Sequence, residues 1–131
     1  MLYRPFENQL NIQLGQHKLH RAQWTILYYL ANYGSASLIE LAKYQGVEKP
    51  TITRTINGLE EMGYVGHIPG KDKREKRIDL TKNGWALYKD VRITIDQFEE
   101  DILNGISEED QQRTIELMGE IRQKILKWGD R

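Results

Sequence analysis

Between Glu48 and Val65 the chain reads E-K-P-T-I-T-R-T-I-N-G-L-E-E-M-G-Y-V, and this stretch constrains the fold more than any other. Its apolar residues Ile52, Ile56, Leu59 and Met62 fall at i, i+4, i+7 and i+10. At about 100° per residue they form one stripe, so the segment is predicted to be an amphipathic helix. Pro50 suits its first turn, where a missing N–H is no loss, and Gly63 suits its end. The opposite side carries Pro50, Arg54 and Asn57, flanked by Thr51 and Thr53. An ordinary solvated face would carry long Lys and Glu residues at i,i+4. Short Thr and Asn side chains with one Arg are the types that reach base edges and phosphates from a major groove.

The flanks of this helix extend the reading. Ser37-Leu38-Ile39-Glu40 matches a capping box, in which the serine hydroxyl takes one orphan N–H and the glutamate reaches back for another. The short helix it starts stops at the turn Gln45-Gly46-Val47. Two helices joined so tightly, the second with a polar outward face, predict a helix-turn-helix; a plain antiparallel helix pair is the alternative. Downstream, Tyr64–Ile68 is predicted as one strand and Arg77–Leu80 as another, with Pro69-Gly70 opening the turn. The tip between them, K-D-K-R-E-K-R from Lys71 to Arg77, holds five basic and two acidic residues. A basic hairpin directly after a recognition helix reads as a wing suited to a phosphate backbone or minor groove. A charged solvated loop is the blander reading.

At 131 residues, with 39% hydrophobic and 29% charged residues, the chain suits a single globular domain rather than a disordered one. The formal net charge is zero, yet Asp96–Asp110 holds seven acidic residues and no basic one, so charge is divided between a basic tip and an acidic segment. With no cysteine, disulfides, thiolate chemistry and thiol redox switching are excluded. No apolar run approaches the roughly 20 residues of a membrane span, and the start has no apolar signal region, so a cytoplasmic protein with no membrane partner is expected.

The remaining segments are apolar on one side. Leu2, Tyr3, Phe6, Leu10 and Leu14 suit a short N-terminal helix that needs a partner element. Arg21–Tyr33 is predicted as a helix with Trp24, Leu27, Tyr28 and Ala31 on its stripe and Gly34 as its stop. Thr81 is the expected N-cap of a long helix, with Gly84 weakening its first turn. Trp85, Tyr88, Val91, Ile95, Phe98 and Ile102 then recur close to every 3.5 residues. Ser107 caps a last helix striped by Ile115, Met118, Ile121, Ile125 and Trp128. These stripes exceed what a small winged domain covers, which predicts packing against a second chain.

In this order the elements resemble the MarR family of transcriptional regulators from end to end. Asp72-Lys73-Arg74 followed by Ile78, Leu80 and Thr81 fits the family's wing pattern D-x-R…h-x-L-T. Pro50-Thr51-Ile52-Thr53-Arg54, Leu59-Glu60 and Gly63-Tyr64-Val65 fit its recognition-helix pattern, and Gln23–Leu27 gives a weaker match. The resemblance implies a mainly α fold with a small β-hairpin wing (α+β), a winged helix-turn-helix with N- and C-terminal dimerisation helices. Residues 21–81 would form the DNA-binding region of a single 1–131 domain, and 1–20 with 82–131 the dimerisation helices. It implies a homodimer on pseudo-palindromic double-stranded DNA, usually repressing a nearby promoter. For many members it also implies a small anionic or phenolic effector. Thr51, Thr53, Arg54 and Asn57 would enter the major groove and Arg74 the minor groove, with Asp72 holding the wing. Ser37, Pro50, Lys71, Lys73, Lys76 and Arg77 complete the candidate DNA-binding set. Two departures stand out: no cysteine is present for oxidant sensing, and Glu48-Lys49 replaces the commoner serine cap before Pro50.

Other candidate sites are weaker. His17 and His20 are spaced for a shared helix face, but no further ligand accompanies them, and no metal or cofactor is expected. Glu99, Glu100 and Asp101 point in different directions on a helix, which suits a solvated face rather than acid–base catalysis. Trp24, Tyr28 and Trp85 suit core packing or the lining of an effector pocket. A nucleophile–base pair and a phosphate-binding glycine loop are both missing, so an enzyme is not expected. The rival to a DNA-binding regulator is a winged-helix module that binds protein.

Overall fold

The computed structural model describes residues 3–70 and 76–130, with side chains from Pro5 onward. Six helices and one hairpin follow in the order α1 (Tyr3–Gly15), α2 (Arg21–Tyr33), α3 (Leu38–Gln45), α4 (Lys49–Glu61), β1 (Val65–Pro69), β2 (Lys76–Leu80), α5 (Lys82–Leu103) and α6 (Glu108–Gly129). This is a winged helix-turn-helix, mainly helical with one antiparallel ribbon. The chain falls into two compact units, Met1–Phe98 and Glu99–Arg131, with the boundary inside α5. Among the described residues no helix is long and apolar enough to cross a membrane.

The core of the first unit gathers part of the predicted stripes and adds Ile26 and Leu30, while Tyr28 and Ala31 are half-buried and Met62 and Trp85 are exposed. Ile26, Leu27 and Leu30 of α2 meet Leu41 of α3, Ile52, Ile56 and Leu59 of α4, Val65 and Ile78 of the ribbon, and Val91 of α5. Burying a side chain of this size contributes about 1.5–3 kcal/mol, so the three from α4 offset roughly a third of the backbone entropy of ordering its 13 residues. The one buried polar residue among those described, Gln23, accepts from the His20 backbone N–H at 3.1 Å.

Four features differ from expectation. The N-terminal helix does not depend wholly on a second chain: Leu10 and Leu14 are buried in this chain's own core, and Phe6 meets Phe98 at 5.9 Å. Ile12, on the other face, stays exposed, and Phe6 is 40% exposed. The second difference is an extra bridge beside the ribbon. Ala36 and Ile78 exchange backbone hydrogen bonds of 3.0 and 2.8 Å, which ties the entry of α3 to β2. Third, the Ser37 hydroxyl does cap α3 by accepting from the Glu40 N–H at 3.2 Å, but the Glu40 carboxylate turns to Arg77 instead of closing the box.

The last concerns Gly84, expected only to weaken a first turn. A Cβ on Gly84 would stand 2.0 Å from the Tyr64 carbonyl oxygen, so the close approach of α5 to the start of β1 requires glycine. Thr81 completes this joint. Its N–H donates to the same carbonyl, and its hydroxyl donates to the Gly63 carbonyl at 2.6 Å and accepts from the Gly84 N–H at 3.0 Å.

Candidate nucleic-acid interface

The helix-turn-helix is built by local chemistry. Gly46 ends α3 in the left-handed region at φ 71°, and its N–H donates to the Ala42 carbonyl at 2.8 Å. Val47 then reaches back to the same carbonyl, and α4 starts two residues later. Glu48 makes no side-chain cap bond, and Pro50 occupies the first turn.

With Ile52, Ile56 and Leu59 facing inward, the far side of α4 is left to polar groups. Lys49, Pro50, Thr53, Arg54 and Asn57 line one open concavity there. Four of the five were expected from sequence. Lys49 was not, although Lys49, Thr53 and Asn57 form one i,i+4 row and Pro50 and Arg54 the row beside it. That spacing was the available signal. Thr51 is exposed but does not line the concavity; its carbonyl accepts from the Thr55 hydroxyl at 3.1 Å. Ser37 lies on the preceding helix entry, engaged as the cap of α3.

On the wing, β1 and β2 pair from Val65↔Leu80 to Pro69↔Lys76. Lys76 is exposed at the outer end. Lys71, Asp72, Lys73 and Arg74 lie outside the described residues. Arg77 departs from the expected basic array, because its guanidinium is engaged within the chain. Nε donates to the Ser35 hydroxyl at 3.0 Å and Nη2 to the Ser35 carbonyl at 2.6 Å, with Glu40 oxygens at 3.4 and 3.5 Å. The physical reason is register: Ile78 must be buried and bridge Ala36, which sets Arg77 beside Ser35. A further side-chain contact, His67 Nε2 to a Glu60 carboxylate oxygen at 3.2 Å, links β1 to the last turn of α4.

Away from this face, Trp24 stacks on Tyr88 with centroids 5.3 Å apart and planes at 14°, with Tyr28 and Trp85 at its margins. Trp24 is core, whereas Trp85 is 41% exposed. Asn32 donates to the Tyr88 hydroxyl at 3.1 Å. A second aromatic group joins Tyr29, Tyr33 and Tyr44 on α2 and α3. Burial, with smaller effects from Tyr33, Tyr28 and Tyr29, raises the Tyr44 phenol above its ordinary value. His17 and Thr94 share a 2.8 Å hydrogen bond, and His20 precedes α2 as its N-cap. Among the described residues no three His, Asp or Glu side chains are grouped to hold a metal ion.

Comparison with known proteins gives this geometry a family. The profile described as MarR family matches residues 19–76. The HTH-type transcriptional regulator YwoH of Bacillus subtilis is 38% identical over 109 residues, covering 83% of this chain and 80% of its own length. The structure of Staphylococcus aureus MarR in complex with salicylate and kanamycin superposes with a TM-score of 0.84 at 30% identity, over 96% of this chain and 86% of that one. An S. aureus MepR–DNA complex shares the fold with a TM-score of 0.84 at 19% identity, over 95% of this chain and 91% of that one. With α4 presenting its polar rows beside a hairpin wing, and with relatives this similar along most of its length, the chain belongs to the MarR family of transcriptional regulators.

Proposed function

We propose that this protein acts as a homodimer that binds a pseudo-palindromic site in double-stranded DNA and represses the adjacent promoter. One observation carries the proposal: the outward rows of α4 bring Lys49, Pro50, Thr53, Arg54 and Asn57 around one concavity on a helix fixed from behind by its buried stripe. A helix so held can lie in a major groove, where Arg54 addresses guanine O6 and N7 and Asn57 an adenine edge. Arg74 on the wing would take the minor groove, and Lys71, Lys73 and Lys76 the phosphates. Residues 21–81 serve as the DNA-binding region. The bare stripe of α6, no residue of which is buried in the single chain, supplies a dimer contact.

Selection of bound duplexes from a random pool tests this reading. The expected product is a two-fold site with half-sites about 10–10.5 bp apart. Recovery of unselected sequence, with equal affinity for random duplexes, would overturn it in favour of a winged-helix module that binds protein.

A small anionic or phenolic effector is the second part of the reading. It is supported by the partly open aromatic group of Trp24, Tyr28, Trp85 and Tyr88, and by the salicylate complex of the S. aureus relative. Titration of salicylate against the protein–DNA complex should release DNA, and Trp85→Ala should blunt the release. Release unchanged in that variant would remove the site.

A further inference from the structure

At the foot of the wing one side chain grips the entry of the helix-turn-helix. Arg77 lies on β2, and its guanidinium holds Ser35 twice, through the hydroxyl at 3.0 Å and the carbonyl at 2.6 Å. Glu40, one turn into α3, stands at 3.4 and 3.5 Å from the same group. Ala36, between these partners in sequence, is bridged to Ile78, the residue after Arg77. The Arg77 side chain is only 23% exposed, and a carboxylate already offsets its charge.

From this geometry we infer that Arg77 is a positioning residue: it sets the angle of the wing against α3 and α4 and does not itself serve as a phosphate contact. The inference rests on the DNA-binding reading above. A two-stranded ribbon is marginal by itself. Buried Val65 and Ile78, the Ala36–Ile78 bridge and the His67–Glu60 contact anchor its foot. Arg77 adds a side-chain tie from β2 to Ser35 and Glu40 against rotation about that foot. A planar fork that binds two acceptors of one residue resists such rotation, which a flexible point charge does not. Because α3 runs into α4 through the Gly46 turn, a grip on residues 35–40 fixes the wing relative to the reading face.

The sign of two substitutions separates positioning from phosphate contact. A phosphate contact survives Arg77→Lys nearly intact, since the charge is kept, and Glu40→Gln then strengthens binding by removing an acid near a polyanion. Positioning predicts the reverse. Arg77→Lys should weaken binding by about three- to tenfold, and Glu40→Gln should weaken it by about twofold or more. Affinity is measured by fluorescence anisotropy on the wild-type selected duplex, and each variant is also put through site selection. A misplaced wing should flatten preference in the flanks while the half-site core is kept, whereas general destabilisation would lower all sequences alike. Glu40 is exposed, so its variant folds even where Arg77→Lys does not. Wild-type affinity in Arg77→Lys, or tighter binding in Glu40→Gln, would overturn the inference. Failure of the wild type to select any site would overturn the DNA-binding reading itself, and is seen before any variant is compared.

Discussion

α4 and α6 both carry an apolar stripe at the helical period, yet the stripes end in opposite surroundings. Ile52, Ile56 and Leu59 of α4 are 0–2% exposed, whereas Ile115, Met118, Ile121, Ile125 and Trp128 of α6 are 53–70% exposed. The difference lies in what the rest of the chain supplies. α4 is enclosed by α2, α3 and β1, which follow or precede it closely in sequence. An amphipathic pattern announces that a face will be covered; it does not say by which molecule. The first stripe is satisfied by folding; on the dimer reading proposed above, the second is satisfied by concentration.

The sharpest way to break this contrast is to cut into α4. Ile52→Ala should cost about 2–5 kcal/mol in urea unfolding, because a fully enclosed site cannot collapse around the lost methyl groups. A loss below about 1 kcal/mol would mean that the stripe is not sealed. On α6 the test is mass action. Wild-type thermal midpoints should climb with protein concentration, each tenfold step adding about 1.4 kcal/mol to dimer stability. Ile121→Asp should abolish that dependence and halve the sedimenting mass. A concentration-dependent midpoint in the variant would return α6 to its own chain.

On the outward side of α4, Arg54→Ala should leave melting unchanged and cost about 1–3 kcal/mol of DNA affinity, relaxing one base position per half-site. An unaltered selected-site profile would remove Arg54 from the reading face. The smallest effect concerns the loop after α1. Lys18 sits in the left-handed region at φ 60°, where a side chain is strained. Lys18→Gly should raise stability by about 0.5–1 kcal/mol, read as a shift of the urea midpoint at constant slope.

What was legible in the sequence was local. The α4 stripe, the Ser37 cap and the Gly46 turn each depend on residues within a few positions of one another, and the structure has all three, except that Met62 follows α4 as its exposed C-cap and does not join the stripe. What stayed hidden involves partners far along the chain. Glu40 looked like the closing member of a capping box because its true partner, Arg77, is 37 positions away. Arg77 looked like one more wing cation because Ser35 is 42 positions away. The Ala36–Ile78 bridge is one residue pair, too short to leave a run of alternating residues. Lys49 was passed over for a different reason: its i,i+4 spacing to Thr53 and Asn57 was legible, but it was read only as a departure from the serine cap before Pro50.

The Tyr64–Gly84 joint makes α5 a lever. Tyr64 accepts from the Thr81 N–H, while Gly84 leaves no room for even a methyl group between helix and ribbon. The pivot therefore has almost no slack, and the wing and the first turn of α5 turn together. Over Lys82–Phe98, the part of α5 that belongs to the first unit, the helix is about 25 Å long. A rotation of about 5° at that pivot would carry Phe98 through about 2 Å, a little under half a helical turn's rise. On the DNA-binding reading proposed above, a small adjustment of the ribbon would be magnified along this part of α5.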